Sequence, residues 1–108
     1  MRVYLERKKS NVKAVAEYDE KSGTFTVLKG SIVSDSISYS EKFRGAKSIE
    51  KNRTGTVSNK KVTKDVVFTS PSTAANFVTG SSTNGLMAWK DHNGVPLKVL
   101  LSKGEADE

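Results

Sequence analysis

Apolar and polar side chains alternate over residues 12–18 of the chain. A period of two residues is typical of a β-strand that buries one face. Residues 24–28 are β-branched or aromatic for the most part, and the turn-forming residues 19–23 separate the two segments. The pattern therefore predicts a β-hairpin, to which residues 3–5 are expected to add an edge strand.

The spacing of apolar residues becomes helical over residues 41–53, where they recur at about every third position. Ser40 is the expected N-cap of this helix and Gly55 its expected terminator. Gly45 lies inside the predicted helix and weakens it by up to about 1 kcal/mol. The pattern predicts a short amphipathic helix after a polar connector over residues 31–40.

A second helix is predicted over residues 71–79 by its start and stop residues. Ser70 supplies a hydroxyl N-cap, and Pro71 occupies the first helical position, where its missing N–H has no cost. Gly80 is placed to end the helix. These three residues together are the strongest local indication of structure in the chain.

Shorter segments complete the expected fold. A turn at residues 59–61 precedes a strand over 62–69, a second strand is expected over 86–90, and residues 95–101 form a strand or a short helix. The fold class is therefore α+β, with a small antiparallel sheet made of the N-terminal hairpin plus C-terminal strands, and two short helices. We expect a single domain over residues 1–104 and an acidic, disordered tail over 105–108.

Composition narrows the class of protein. A chain of 108 residues has the usual size of one domain. It contains no cysteine, which excludes disulfides, thiolate nucleophiles and cysteine-based zinc sites. No segment approaches the roughly 18 apolar residues of a membrane span, and no signal peptide is recognisable. A cytoplasmic protein without a membrane partner is expected.

The positive charge is concentrated in the first part of the chain. Residues 1–65 hold 15 of the 18 Lys and Arg residues and 8 of the 12 Asp and Glu residues, for a net charge of +7 against −1 in residues 66–108. Such asymmetry favours a polyanionic partner. It is equally compatible with a charge that serves solubility alone.

Catalytic motifs are not apparent in the sequence. The lone histidine, His92, lies in an Asp-His-Asn-Gly turn, where its neighbours are explained by backbone conformation. A metal site needs several converging ligands, and the sequence has neither a nucleophile elbow nor a phosphate-binding glycine loop. We therefore expect no enzyme activity, no catalytic residue, no metal and no cofactor.

A row of basic residues is the first candidate for nucleic-acid binding. Arg44, Lys47 and Lys51 would lie on one side of the predicted helix, and Lys60 and Lys61 would extend the positive area. Such a row suits phosphates but carries no sequence information. A solvated helix face explains it about equally well.

A polar segment around a tryptophan is the second candidate. The residues that would line a base-reading or peptide-binding pocket there are Ser72, Thr73, Ser82, Asn84, Trp89 and Lys90. Simpler explanations exist for three features: Ser70 caps its own helix, Trp89 fills the core of a small domain, and Asn84-Gly85 forms a turn with positive φ. Both explanations stay open at this point.

From about residue 27 to residue 100 the chain resembles a small bacterial and archaeal domain of unknown function, numbered four-three-five-seven. The resemblance rests on residues 27–31, 65–68 and 70–75, on Val78-Thr79-Gly80, Asn84-Gly85 and Trp89-Lys90, and on Gly94 followed by Leu97. Leu86 departs from the pattern, because an aromatic often follows Asn-Gly in that family.

Members of that family often carry the domain at the end of longer chains, including chains with a GIY-YIG nuclease domain. The pattern is also similar to the domain associated with restriction-enzyme adenine methylases. The resemblance thus implies an accessory role near DNA, with a nuclease or a methylase as partner, although function must be argued from a site.

Two hypotheses follow from the sequence. The first is a non-enzymatic accessory module that contacts DNA in a restriction, modification or nuclease context. The second is a protein-interaction or dimerisation module that uses a sheet edge or the Trp89 surface and has no nucleic-acid role.

Overall fold

Four antiparallel strands form the main sheet in the computed structural model, which describes residues 1–38 and 45–106. The strands lie in the order β1–β2–β3–β6 and comprise β1 (Arg2–Arg7), β2 (Val12–Asp19), β3 (Thr24–Val27) and β6 (Val66–Phe68). The remaining strands, β4 (Val57–Ser58) and β5 (Lys61–Val62), pair as a short ribbon. The predicted hairpin and the predicted edge strand are both confirmed.

One face of this sheet is buried. Alternation along the strands places on that face Val3, Leu5, Ala14, Ala16, Phe25, Val27 and Phe68. Because successive side chains of a strand point to opposite sides, residues such as Tyr4 and Lys13 belong to the other face. We call that other side the open face, since no described helix packs on it.

The helices of the described residues are α1 (Ala46–Arg53), α2 (Pro71–Thr79), α3 (Gly85–Ala88) and α4 (Leu97–Ala106). Helix α2 packs on the buried face of the sheet, and α1 and α3 contact α2. Phe77 of α2, Leu97 of α4 and the fully buried Trp89 join the sheet residues in one hydrophobic cluster. The α+β class is confirmed, with one of the two predicted helices at α2 and the other at α1.

Helix α2 begins and ends as the sequence predicts. The hydroxyl oxygen of Ser70 accepts hydrogen bonds from the backbone N–H groups of Ser72 (3.2 Å) and Thr73 (3.4 Å), and Pro71 is the first helical residue. Gly80 follows in the left-handed conformation with φ of 74°. A Cβ at Gly80 would also overlap the carbonyl oxygen of Ser36. Glycine is therefore required there for two reasons, the left-handed φ and the lack of space for a side chain.

The helix predicted over residues 41–53 is confirmed from Ala46 to Arg53. Gly45 precedes the helix instead of interrupting it, and Gly55 adopts φ of 79° just beyond the last turn, as expected of a terminator. The expected N-cap, Ser40, lies outside the described residues.

The single strand predicted over residues 62–69 is wrong, because the segment pairs with two different partners. Val62 in β5 donates to the carbonyl oxygen of Ser31 at 2.8 Å, whereas β6 pairs with β3. Between them the carboxylate of Asp65 accepts a hydrogen bond from the backbone N–H of Lys29 at 2.8 Å. The chain must therefore turn at residues 63–65.

The strand predicted over residues 86–90 is also wrong. The side-chain oxygen of Asn84 accepts from the N–H of Leu86 at 3.1 Å and starts the one-turn helix α3. Strand-like pairing is restricted to Lys90, which exchanges two backbone hydrogen bonds with Tyr4, at 2.7 and 2.9 Å. Residues 95–101, for which the sequence predicts either a strand or a short helix, contain the start of α4.

From the sequence, the glycine at residue 85 is explained by a turn that needs a positive φ. This explanation is wrong as well, since Gly85 does not have a positive φ. A Cβ at this position would overlap the backbone of Pro71 and Ser72. Glycine is therefore needed at residue 85 so that α3 can approach the beginning of α2.

Arg53 joins α1 to the rest of the fold and is a structural cation. Its Nε donates to the carbonyl oxygen of Phe77 at 3.0 Å, and its two Nη atoms donate to the carbonyl and hydroxyl oxygens of Ser34 at 3.1 and 3.0 Å. These bonds satisfy carbonyl groups at the end of α2 and in the loop beside it.

Replacing Arg53 with lysine should lower the free energy of unfolding by about 1.5–3 kcal/mol, because an ammonium group keeps the charge but cannot reproduce the planar fork. The reverse exchange at the exposed Lys51, Lys51→Arg, is the matched control and should change stability by less than about 0.5 kcal/mol. Urea unfolding followed by circular dichroism measures both. Equal stability of the two variants would show that the Arg53 bonds contribute nothing specific.

Candidate nucleic-acid interface

The basic residues singled out in the sequence do not share one surface. Lys47 and Lys51 are exposed on α1, which contacts α2 in the helical layer. Lys61 and Lys90 belong to the open face on the other side of the sheet. Lys60 is at the tip of the β4–β5 ribbon, where it and Asn59 have positive φ. Arg44 lies outside the described residues.

Cross-strand pairing collects cations on the open face. Lys13 of β2 pairs directly with Ile32, and Ile32 pairs on its other side with Lys61. Residues directly opposite one another on adjacent strands have their side chains on the same face. Lys90 is joined to this face in the same way, through its two backbone hydrogen bonds with Tyr4.

Four shallow grooves follow one another around this part of the molecule, with volumes of about 360, 410, 330 and 450 Å³. Each shares lining residues with the next: Lys13 and Ile32, then Glu6 and Arg7, then Glu6 and Lys90. The cations that line them are Arg2, Arg7, Lys8, Lys13, Lys29 and Lys90, and the carboxylates are Glu6 and Asp91. We call this connected set the basic groove.

Most of the cations in the basic groove form no ion pair among the described residues, although Glu6 lies directly across from Lys13. Arg2 forms an ion pair with Glu17, with 2.5 Å between its Nε and a carboxylate oxygen. Lys8, Lys13 and Lys29, in contrast, have no ion-pair partner among the described residues. Their charges are therefore available to an anionic ligand.

Acidic residues gather at the opposite end of the sheet. A groove of about 620 Å³ at the β2–β3 turn is lined by Glu17, Asp19 and Glu20 together with the chain's amino group. A hydrogen bond from the backbone N–H of Lys21 lowers the pKa of Asp19, with a smaller contribution from the Ser22 hydroxyl. Lys21 and the amino group also line this groove and Arg2 pairs with Glu17, so positive and negative charges are balanced at this end of the sheet.

Five of the groove cations were missed in the sequence, namely Arg2, Arg7, Lys8, Lys13 and Lys29. Arg7 and Lys8 belong to the run Arg7-Lys8-Lys9 just before the predicted hairpin, and Lys13 alternates with buried residues of β2. Both features were visible in the sequence and indicate a basic strand end. The position of Lys29 depends on the contact between its backbone and Asp65, which no local pattern reveals.

The start of α2 is occupied by the protein itself. The N–H groups of Ser72 and Thr73 point at Ser70, and the hydroxyl oxygen of Ser72 accepts a hydrogen bond from Gly85 at 3.0 Å. Ser72 is partly buried and Thr73 is exposed. These contacts favour the capping explanation over a phosphate site.

Trp89 is fully buried and does not line a surface pocket in this structure. Its ring packs against Phe25 with 4.9 Å between centroids, and its Nε1 donates to the carbonyl oxygen of Pro71 at 3.0 Å. An indole in this position stabilises the core and is not available to a base.

Asn84 and Lys90 are the two candidates from the polar segment that the structure brings together, because both line the groove of about 330 Å³ next to Arg7. Ser82 is exposed on the preceding loop. That loop is held by Asn76 of α2, whose side-chain oxygen accepts from the N–H of Thr83 at 2.8 Å. The polar segment thus contributes to one end of the basic groove.

His92 lies beside Tyr4 and Lys90 in the groove of about 450 Å³. Within residues 1–38 and 45–106 the structure shows no group of three or more His, Asp or Glu side chains placed to hold a metal ion. Over the same residues, no helix has the length and apolar character needed to cross a membrane.

Comparison with known proteins gives one positive result. No curated protein and no solved structure matches the chain. Residues 4–101 match the family described as Domain of unknown function (DUF4357). The match extends the resemblance seen over residues 27–100 to β1 and β2, and so includes most of the basic groove. The chain therefore belongs to the DUF4357 family.

Proposed function

We propose that this domain is a non-enzymatic binding module that contacts DNA through the basic groove, as an accessory to a nuclease or a restriction-modification enzyme. The observation that carries the proposal is the set of connected grooves lined by six cations and two carboxylates. The enzyme context rests on the resemblance of the family to domains found beside such enzymes.

The charge of the groove suits a phosphate backbone. Lys8, Lys13 and Lys29 follow the groove from the β1–β2 turn onto the open face, and the ammonium group of each forms no ion pair among the described residues. A chain of phosphates binds such a row by releasing its condensed counterions, so affinity depends steeply on salt. A single small anion would need only one of these grooves.

The cations of the groove are suited to binding phosphates and not to general base catalysis. Lysine and arginine side chains are protonated at neutral pH and donate hydrogen bonds without accepting protons. General base catalysis needs a group with a pKa near the working pH within hydrogen-bond distance of the reacting atom. The cations of the basic groove can position a phosphate backbone, which is the role of an accessory module.

The test compares two triple charge reversals that change the net charge equally. Lys8→Glu/Lys13→Glu/Lys29→Glu alters the basic groove, and Lys47→Glu/Lys51→Glu/Lys98→Glu alters exposed lysines of α1 and α4. Fluorescence anisotropy of labelled duplex and single-stranded oligonucleotides is followed from about 50 mM salt upward, a range in which phosphate contacts weaken strongly.

The wild-type protein should show a linear fall of log K with log salt. The groove variant should lose about 0.7–0.9 of that slope per lost contact and bind at least about tenfold more weakly at low salt. The α1/α4 variant should retain the wild-type slope. Equal effects of the two variants, or a flat salt dependence of the wild type, would contradict the assignment to the groove.

A second candidate function is favoured by the sheet edge. Strand β6 is the outer strand beside β3, and Val67 at its centre is 62% exposed. An exposed apolar edge strand is a template for pairing with another chain. Absence of DNA binding at low salt, together with a concentration-dependent dimer by light scattering, would favour this protein-interaction role.

A further inference from the structure

We propose that the cleft beside Tyr4 holds one unstacked base of single-stranded DNA, with the Tyr4 ring as its stacking platform. This inference rests on the proposed function, because the same strand would continue into the basic groove. It adds the form of the nucleic acid and the residue that contacts the base.

Tyr4 is the aromatic residue that β1 presents on the open face. Its neighbours in the strand, Val3 and Leu5, are buried on the other side, so the Tyr4 side chain must point away from the core. Directly across the strands it faces Val15 of β2 and Lys90. A half-buried ring between an aliphatic side chain and an ammonium group is a ready surface for a flat ligand.

The cleft has the size and the mixture of groups that a base requires. Its volume of about 450 Å³ is in the range of small-molecule sites. Tyr4 and His92 supply rings, Glu6 supplies a hydrogen-bond acceptor and Lys90 supplies a donor and a positive charge. Recognition of unstacked bases by aromatic platforms with polar groups at the base edge is the usual mode for single strands.

The walls of the cleft are fixed before any ligand arrives. Lys90 is held by two backbone hydrogen bonds to Tyr4, and the turn that carries His92 is closed by the carboxylate of Asp91. That carboxylate accepts from the N–H groups of Asn93 and Val95, both at 2.9 Å. A preorganised site avoids the entropic cost of ordering its own loop on binding.

The shape of the site favours a single strand over a duplex. Proteins that read duplex DNA insert a helix or a two-stranded ribbon into the major groove, where the paired bases expose only their edges. The Tyr4 ring lines the cleft, and a base can stack on a protein ring only after it has left its own stack. The cleft shares Glu6 and Lys90 with the next groove, and this connection gives the single-stranded DNA a path towards Arg7.

The experiment uses a single-stranded DNA oligonucleotide with 2-aminopurine at one position, whose fluorescence is quenched when the base stacks. Binding is compared with that of two further oligonucleotides of the same sequence, a DNA duplex and a single-stranded RNA. Tyr4→Ala should weaken single-strand binding by about five- to a hundredfold, the range found when stacking aromatics are removed. Tyr4→Phe keeps the ring and should retain both the affinity and the quenching.

Two further readouts separate this inference from the proposed function. Tyr4→Ala should leave the salt slope unchanged, because stacking releases no counterions, whereas the groove charge reversals flatten it. His92→Ala, at an exposed position, removes one ring of the cleft without touching the core and should reduce the quenching.

A salt-dependent wild-type affinity that Tyr4→Ala does not alter, together with quenching that His92→Ala does not alter, would overturn the base cleft and leave the DNA-binding function standing. Duplex binding as tight as single-strand binding, or a tenfold preference for RNA, would also overturn it. Failure of the wild type to bind any of the three oligonucleotides would overturn both proposals.

Discussion

Replacing Trp89 with alanine should lower the free energy of unfolding by about 3–5 kcal/mol, the range observed when a large buried aromatic is removed. Trp89 is fully buried, packs on Phe25 of β3 and donates its indole N–H to the carbonyl oxygen of Pro71. Its backbone carbonyl accepts from the N–H of Leu97 at 2.8 Å. One residue therefore links the sheet to the starts of α2 and α4.

Chemical unfolding in urea, followed by circular dichroism, measures this loss. Met87→Ala is the matched control, since Met87 is only two residues away and is 47% exposed. The control should change stability by no more than about 0.5 kcal/mol. A similar effect of both substitutions would mean that the indole is not the centre of the core.

The burial of Trp89 also has a consequence for DNA binding. Because the chain has a single tryptophan and its ring has no exposed surface, saturating DNA should leave the tryptophan emission spectrum nearly unchanged. Direct stacking of a base on Trp89 would quench that emission strongly. Tyr4, on the open face, is the aromatic for which a direct effect is expected.

The parts of the fold that local chemistry determines were predictable. The alternation of β2 and β3 and the Ser70-Pro71 start of α2 are explained by residues close in sequence. The errors arose where distant contacts decide the conformation. Residues 86–90 resemble a strand, yet the packing of Gly85 on Pro71 makes the segment begin as a helix.

The candidate site was predictable only in part, for a related reason. The sequence shows which residues are basic, but the face on which each one lies depends on strand pairing. Lys61 reaches the open face because β5 pairs with Ile32, which in turn pairs with Lys13. Lys47 and Lys51 were grouped with Lys61 by proximity in sequence, although α1 packs on the helical side. Strand pairing is a tertiary feature, and no short segment of the sequence specifies it.

Gly85→Ala should destabilise the domain by about 3 kcal/mol, even though alanine is the better helix former. Gly85 lies in the first turn of α3 and its φ is not positive, so propensity alone predicts a gain of about 1 kcal/mol from alanine. The added Cβ would overlap the backbone of Pro71 and Ser72, which cannot move aside as a flexible side chain can. Such overpacking costs about 1–3 kcal/mol and occasionally more.

The comparison that isolates this overlap is Gly94→Ala. Gly94 has φ of 81° and open space where a Cβ would be, so alanine there carries only the cost of the left-handed conformation, about 1–2 kcal/mol. Gly85→Ala should be the more damaging variant in urea unfolding. It should also weaken the bond from the Gly85 N–H to Ser72, visible as faster amide hydrogen exchange at residue 85. Increased stability of Gly85→Ala would mean that α3 and α2 are not in backbone contact, and the wall of the basic groove that carries Asn84 would then be wrongly placed.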